Sequence, residues 1–82
     1  MNYQILIDKP ALKFLQKQPA SQRERLLKAI SQLPTSGDIK PLSAHQNQYR
    51  LRVGSFRVIY TVKNDLLIVQ ILNIGNRGDI YK

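Results

Sequence analysis

The chain has no cysteine, one histidine and only five acidic residues in 82. Without cysteine there is neither a disulfide framework nor a thiolate metal site. With a single histidine, His45, and so few carboxylates, a catalytic His/Asp pair or a carboxylate-bound metal has little to draw on. Residues 1–8 lack a basic-then-apolar leader, and no apolar run approaches the length of a membrane span. A cytoplasmic protein is therefore expected, with no membrane partner, no metal and no cofactor. Glycine-rich phosphate loops, HExxH and a plausible Ser/His/Asp set are also missing.

What the chain does have is positive charge. Thirteen lysines and arginines against five acids give +8 and a pI near 10.2. That density on a short chain favours an anionic partner, either nucleic acid or an acidic protein. The alternative is a basic surface kept for solubility. The charges are unevenly spread, however. Between Asp38 and Asp65 there is no acid, while Lys40, Arg50, Arg52, Arg57 and Lys63 all fall inside that interval.

The length allows one domain, residues 1–82, with two or three helices on one sheet. Residues 3–7 read as a short strand. Asp8 is placed to cap a helix, and Pro10 suits its first turn. This helix runs to about Gln18, with Leu12 and Leu15 as its inner stripe beside Ala11 and Phe14, and Pro19 ends it. Ser21 to Glu24 has the form of a capping box opening a second helix. Its apolar stripe is Leu26, Leu27, Ile30 and Leu33, and Pro34 stops it. Residues 34–48 read as loop. Three strands follow, at 48–53, 56–63 and 66–74, joined by Gly54-Ser55 and Asn64-Asp65 turns. The order β-α-α-β-β-β is an α+β fold, a helical hairpin packed on a mainly antiparallel sheet.

Strand alternation then sorts the arginines. Tyr49, Leu51 and Val53 face one way, and Arg50 and Arg52 face the other. A two-residue turn at Gly54-Ser55 sets Arg52 opposite Arg57, on one face, with Arg50 two positions along. Like charges directly opposed across strands cost stability, so three guanidinium groups on one patch point to a bound anion. The competing reading has them splayed into solvent or paired with Asp38 or Asp79. A two-residue Asn64-Asp65 turn would place Leu72 across from Arg57. Residues 75–81 would then leave the sheet near the patch, within reach for Arg77 and Tyr81. Tyr81 could equally be an aromatic packed on the core. Fixed guanidinium groups suit the stabilisation of charge on a phosphate under attack. They suit proton transfer poorly, because arginine stays protonated. His45, in the polar loop, is more readily a solvent-facing residue than a base.

The runs QYRLRVGSFRVIY (48–60) and NIGNRGDIY (73–81) resemble the core signature of the RelE/ParE toxin superfamily. The N-terminal strand, DKPALKFL (8–15), the second helix and Lys40-Pro41-Leu42 fit the same pattern, which spans nearly the whole chain. The resemblance implies a small microbial-ribonuclease-like domain. It implies a toxin of a toxin–antitoxin pair, an endoribonuclease that cuts messenger RNA in the ribosomal A site by 2′-hydroxyl attack and so inhibits translation. Arg50 and Arg52 match the family's basic pair and would stabilise the attack. Arg57 and Arg77 match arginines that would hold the scissile phosphate. Tyr81 matches a late tyrosine that would stack on a base or orient the nucleophile, and Lys40 would join Arg50 and Arg52 in binding RNA. The implied partners are a cognate antitoxin, ribosome-bound messenger RNA, ribosomal RNA and, through the antitoxin complex alone, operator DNA. Two features depart from the pattern. Arginines stand where lysines are common in the first pair, which favours charge stabilisation over proton shuttling. The sequence also stops one residue after Tyr81, where several relatives carry a further helix, so an antitoxin is expected to act without displacing one. The other branch of the superfamily, a poison of DNA gyrase, and a non-catalytic basic binding module are the alternatives.

Overall fold

The computed structural model describes residues 3–42 and 47–76. Seven elements follow one another: β1 (Gln4–Ile7), α1 (Lys9–Lys17), α2 (Ala20–Ser31), β2 (Asp38–Pro41), β3 (Gln48–Val53), β4 (Phe56–Lys63) and β5 (Ile68–Asn76). The strands form one mixed sheet in the order β1-β5-β4-β3-β2. β1 runs parallel to β5, and the other three pairings are antiparallel. The expected α+β class and mainly antiparallel sheet are found, with one strand more than the sequence pattern indicated.

Both helices begin for reasons visible in the chain. Asp8 precedes α1 in an extended conformation, and Pro10 occupies the first turn, where a missing N–H has no intrahelical acceptor to lose. The Asp8 carboxylate does not cap the helix. It accepts a 2.9 Å hydrogen bond from Gln70 Nε2, tying the start of α1 to β5. α2 begins at Ala20, directly after Pro19. The expected capping box at Ser21 is therefore not formed. Proline's fixed φ already turns the chain into the helix, which leaves Ser21 inside the first turn with no capping position to fill.

The buried stripes are narrower than the sequence count. α1 buries Ala11 and Leu15 with Phe14 partly covered, while Leu12 is 42% exposed. At 100° per residue, 11, 14 and 15 share a face and 12 turns away from it. In the same way Leu26, Ile30 and Leu33 are buried and Leu27 lies outside. The helices contact each other, α1 lies on β5 and α2 reaches β3. Beneath them Leu51, Val53, Phe56, Val58, Tyr60, Val69, Ile71 and Ile74 complete the core.

Three local features differ from expectation. The stretch read as loop contains β2, an edge strand too short to show alternation and ending on Pro41, which an edge tolerates. The β4–β5 connection has four residues, because Lys63 pairs with Ile68, and Leu67 sits at φ 54°. β5 also carries a bulge. Ile59 pairs with Asn73 and Tyr60 with Ile71, so Leu72 is an extra residue. As a result, Gly75 rather than Leu72 lies across from Arg57.

Candidate functional site

The sheet face opposite the helices is built from three rows of side chains set by register. The first row is Asp38, Arg52, Arg57 and Gly75, and the second is Lys40, Arg50, Ile59 and Asn73. Gln48, Thr61 and Gln70 form the third. The Gly54-Ser55 turn is two residues long, with Gly54 at φ 60°, and it places Arg52 directly opposite Arg57 as the pattern required. Arg50, Arg52, Arg57 and Lys40 thus share one face.

These cations are not equivalent. Arg52 and Lys40 are exposed and Arg57 is half-buried. The Arg50 side chain is 13% exposed, and its Nη2 lies 3.4 Å from Asp38 Oδ1. Its Nε is buried with no hydrogen-bond partner among the described residues. For Arg50 the competing expectation is met in part: it pairs with Asp38 rather than splaying into solvent, while Asp79 lies outside the described residues. Pairing does not remove the patch, because among the described residues one carboxylate stands with three guanidinium groups and Lys40.

The bulge shapes this face. Gly75, which has no side chain, is the β5 residue directly across from Arg57. Asn73, just after the bulge, accepts a 2.9 Å hydrogen bond on Oδ1 from the Ile74 N–H. Arg77, Tyr81 and His45 lie outside the described residues.

Two contributors were not singled out from sequence. Ile59 is buried in the Arg50 row, away from the main core. Alternation alone could have shown it as the lone large apolar residue on the arginine face of β4. Arg25 of α2 sets its guanidinium against the hairpin turn, where a Cβ on Gly54 would stand 2.9 Å from Nη2. No spacing in the sequence signals that contact, since it joins a helix to a turn 29 residues away.

On the opposite face Tyr49 and Tyr60 stack with ring centroids 5.6 Å apart. Burial, and secondarily the neighbouring Tyr49, pushes the Tyr60 hydroxyl up to about 12. It stays protonated at neutral pH, on the wrong side of the sheet to exchange protons with anything on the arginine face. Among the described residues no three His, Asp or Glu side chains gather as metal ligands would. The arrangement can hold an anion with a planar, multidentate donor set.

Comparison with known proteins agrees with this architecture. Residues 5–81 match the family model of the ParE toxin of type II toxin–antitoxin systems, parDE. The chain is 35% identical over its full length to a protein of Methanocaldococcus jannaschii named as toxin RelE1, covering 98% of that relative. It is 30% identical to toxin RelE3 of the same organism, over 94% of this chain and 93% of that one. The archaeal RelE–RelB complex from Pyrococcus horikoshii OT3 superposes with a TM-score of 0.79 at 30% identity, covering 96% of this chain and 99% of that one. The intact E. coli RelBE toxin–antitoxin complex gives 0.77 at 26% identity, over 90% and 95% of the two chains. With the fold, the arginine face and these likenesses in agreement, the chain belongs to the RelE/ParE superfamily of toxins from type II toxin–antitoxin systems.

Proposed function

We propose that this toxin is a ribosome-dependent endoribonuclease that cuts messenger RNA in the A site and thereby stops translation. The observation that carries the reading is the opposed pair Arg52 and Arg57, with Arg50 in the next row and Gly75 across from Arg57. In the reaction the 2′-oxygen bonds to the neighbouring phosphorus and the P–O5′ bond breaks. The 2′-hydroxyl gives up its proton and the leaving 5′-oxygen gains one. The products are a 2′,3′-cyclic phosphate and a 5′-hydroxyl. The nucleophile comes from the substrate, so the chemistry proceeds without a metal ion.

Arg57, with Arg77, holds the scissile phosphate. Arg50 and Arg52 stabilise the charge that builds on it. Lys40, on the same face, takes the adjoining RNA backbone, and Tyr81 stacks on a base or orients the nucleophile. The arginines remain protonated throughout, so proton transfer falls to another group. Placement by the ribosome supplies much of the rate, as it does for any reactant held in line.

The assignment of partners follows the relatives. Several solved neighbours are toxin–antitoxin complexes with RelB. A cognate antitoxin with an acidic, amphipathic segment suits the basic face here, and any operator DNA would be reached through that antitoxin. The protein acts as one domain, residues 1–82, in the cytoplasm where ribosomes are.

Primer extension on a message translated in the presence of the protein tests the reading. Wild type gives cuts in phase with codons, and Arg57→Ala lowers their rate by about a hundred-fold or more, the loss typical of a donor that stabilises transition-state charge. Intact message accompanied by gyrase-linked DNA breaks would overturn the proposal in favour of the gyrase-poison branch, whose family model the chain also matches.

A further inference from the structure

The geometry points to Asp38 as a positioning residue of the arginine site, one that holds Arg50 in place and is itself a negative charge the RNA must pass. The inference rests on the nuclease reading above. Asp38 opens edge strand β2, lies across from Arg52, and reaches diagonally to Arg50, where Oδ1 and Nη2 are 3.4 Å apart. It is 56% exposed, while the Arg50 side chain is 13% exposed. The carboxylate therefore stands at the rim of the patch, and the guanidinium it holds lies largely under cover.

Arg50 needs such a holder. Among the described residues its Nε is buried without a hydrogen-bond partner, and the Asp38 contact compensates for a charge taken out of water. Arg52 and Arg57 add repulsion from the neighbouring row. With the carboxylate neutralised, desolvation and repulsion act together and turn Arg50 outward into solvent. Asp38 is well anchored for this task. Gly37 precedes it at φ 126°, and a Cβ there would stand 2.6 Å from Leu51 Cδ1, so the chain enters β2 pressed against the core.

The same carboxylate opposes an approaching phosphate. Its removal makes the face more positive while loosening the group that stabilises the attack. Binding and turnover are therefore expected to move in opposite directions, a split that a purely structural role does not produce.

The test is single-turnover cleavage on ribosomes programmed with an A-site codon, comparing wild type, Asp38→Asn and Asp38→Glu. For Asp38→Asn the half-saturating concentration should fall about five-fold at low salt, the effect of one charge several ångströms away at a partly solvated surface. The saturated rate should fall about ten- to hundred-fold, as for a misplaced group. Asp38→Glu, which keeps the charge, should recover most of that rate. Melting temperatures should stay within a few degrees of wild type, since Asp38 is exposed and the released Arg50 can turn its charge out into water. Unchanged cleavage in Asp38→Asn, or a rate and affinity that both drop along with the melting temperature, overturns the positioning role and leaves the nuclease reading standing. A wild-type protein that cuts nothing defeats the nuclease reading, and the positioning role falls with it.

Discussion

The two faces of the central sheet are made by the same strands and built to opposite ends. Toward the helices the rows are Val53 with Phe56, then Leu51, Val58 and Ile74, then Tyr49, Tyr60 and Ile71. All but Tyr49 are buried. Away from the helices the matching rows hold Arg52 and Arg57, then Arg50, Ile59 and Asn73. A two-residue period lets neighbouring positions serve these two ends without a change of backbone. The helix-covered face lowers the free energy of folding. The arginine face works against folding at two points: it sets Arg52 opposite Arg57, and it buries the Arg50 Nε with no hydrogen-bond partner among the described residues. The contrast marks out the arginine face as the candidate site more sharply than total charge does, since Lys9, Lys13 and Lys17 are equally basic but exposed on a helix surface.

The largest effect should come from the covered face. Ile71 is fully buried at the centre of β5, so Ile71→Ala should cost about 2–5 kcal/mol, read from the urea midpoint. A loss below about 1 kcal/mol would show that the core is loosely packed and would dissolve the contrast. Tyr60 offers a second measure on the same face. Its folded-state value of about 12 lies above the ordinary 10.0, so folding favours the protonated hydroxyl. That contribution, on the order of 2–3 kcal/mol, is complete below pH 10 and is lost as the pH climbs toward 12. Urea midpoints taken through that range should fall, and Tyr60→Phe should flatten the fall. An equally steep decline in Tyr60→Phe would assign it to the lysines instead.

The two faces also differ in how legible they were. The β3–β4 hairpin was readable because Gly54-Ser55 admits one tight turn, and that turn fixes Arg52 against Arg57. β2 was not readable, since four residues ending on proline carry no periodic signal. The bulge at Leu72 left no mark either. It exchanges one apolar residue for another across a register shift, so the run ILNIG reads the same with or without it. That hidden residue matters most for the site, because without it Ile74 rather than Gly75 would lie across from Arg57. The helices were found but their inner faces were overcounted at Leu12 and Leu27, where apolar character alone could not say which way the side chain turns. The pairing of Arg50 with Asp38 stood beside solvent exposure and pairing with Asp79 in the competing reading, and singling it out needed β2.

A smaller effect is expected where the faces meet, at the hairpin turn. Gly54→Ala forces a Cβ into the left-handed region and against the Arg25 guanidinium. Together these should cost about 1–2 kcal/mol in the urea midpoint. In an Arg25→Ala background the contact is gone and only the backbone strain is left, so the penalty of Gly54→Ala should shrink. A penalty of the same size in both backgrounds would show that Arg25 yields freely and takes no part in fixing the turn.

The smallest effect has the most telling sign. Arg52 is exposed and faces Arg57 across the ladder, so Arg52→Gln keeps most of the stem and removes the repulsion. Cross-strand charge pairs are worth about 0.2–1 kcal/mol, and the variant should be more stable than wild type by an amount in that range. On the proposed nuclease reading RNA cleavage should fall in the same protein, because Arg52 would stabilise the phosphate. A gain in stability with a loss of activity is the signature of a residue kept for function against the interest of the fold. If Arg52→Gln is instead less stable, Arg52 makes a favourable contact that outweighs its repulsion. The arginine face would then be a structural surface like the one beneath the helices.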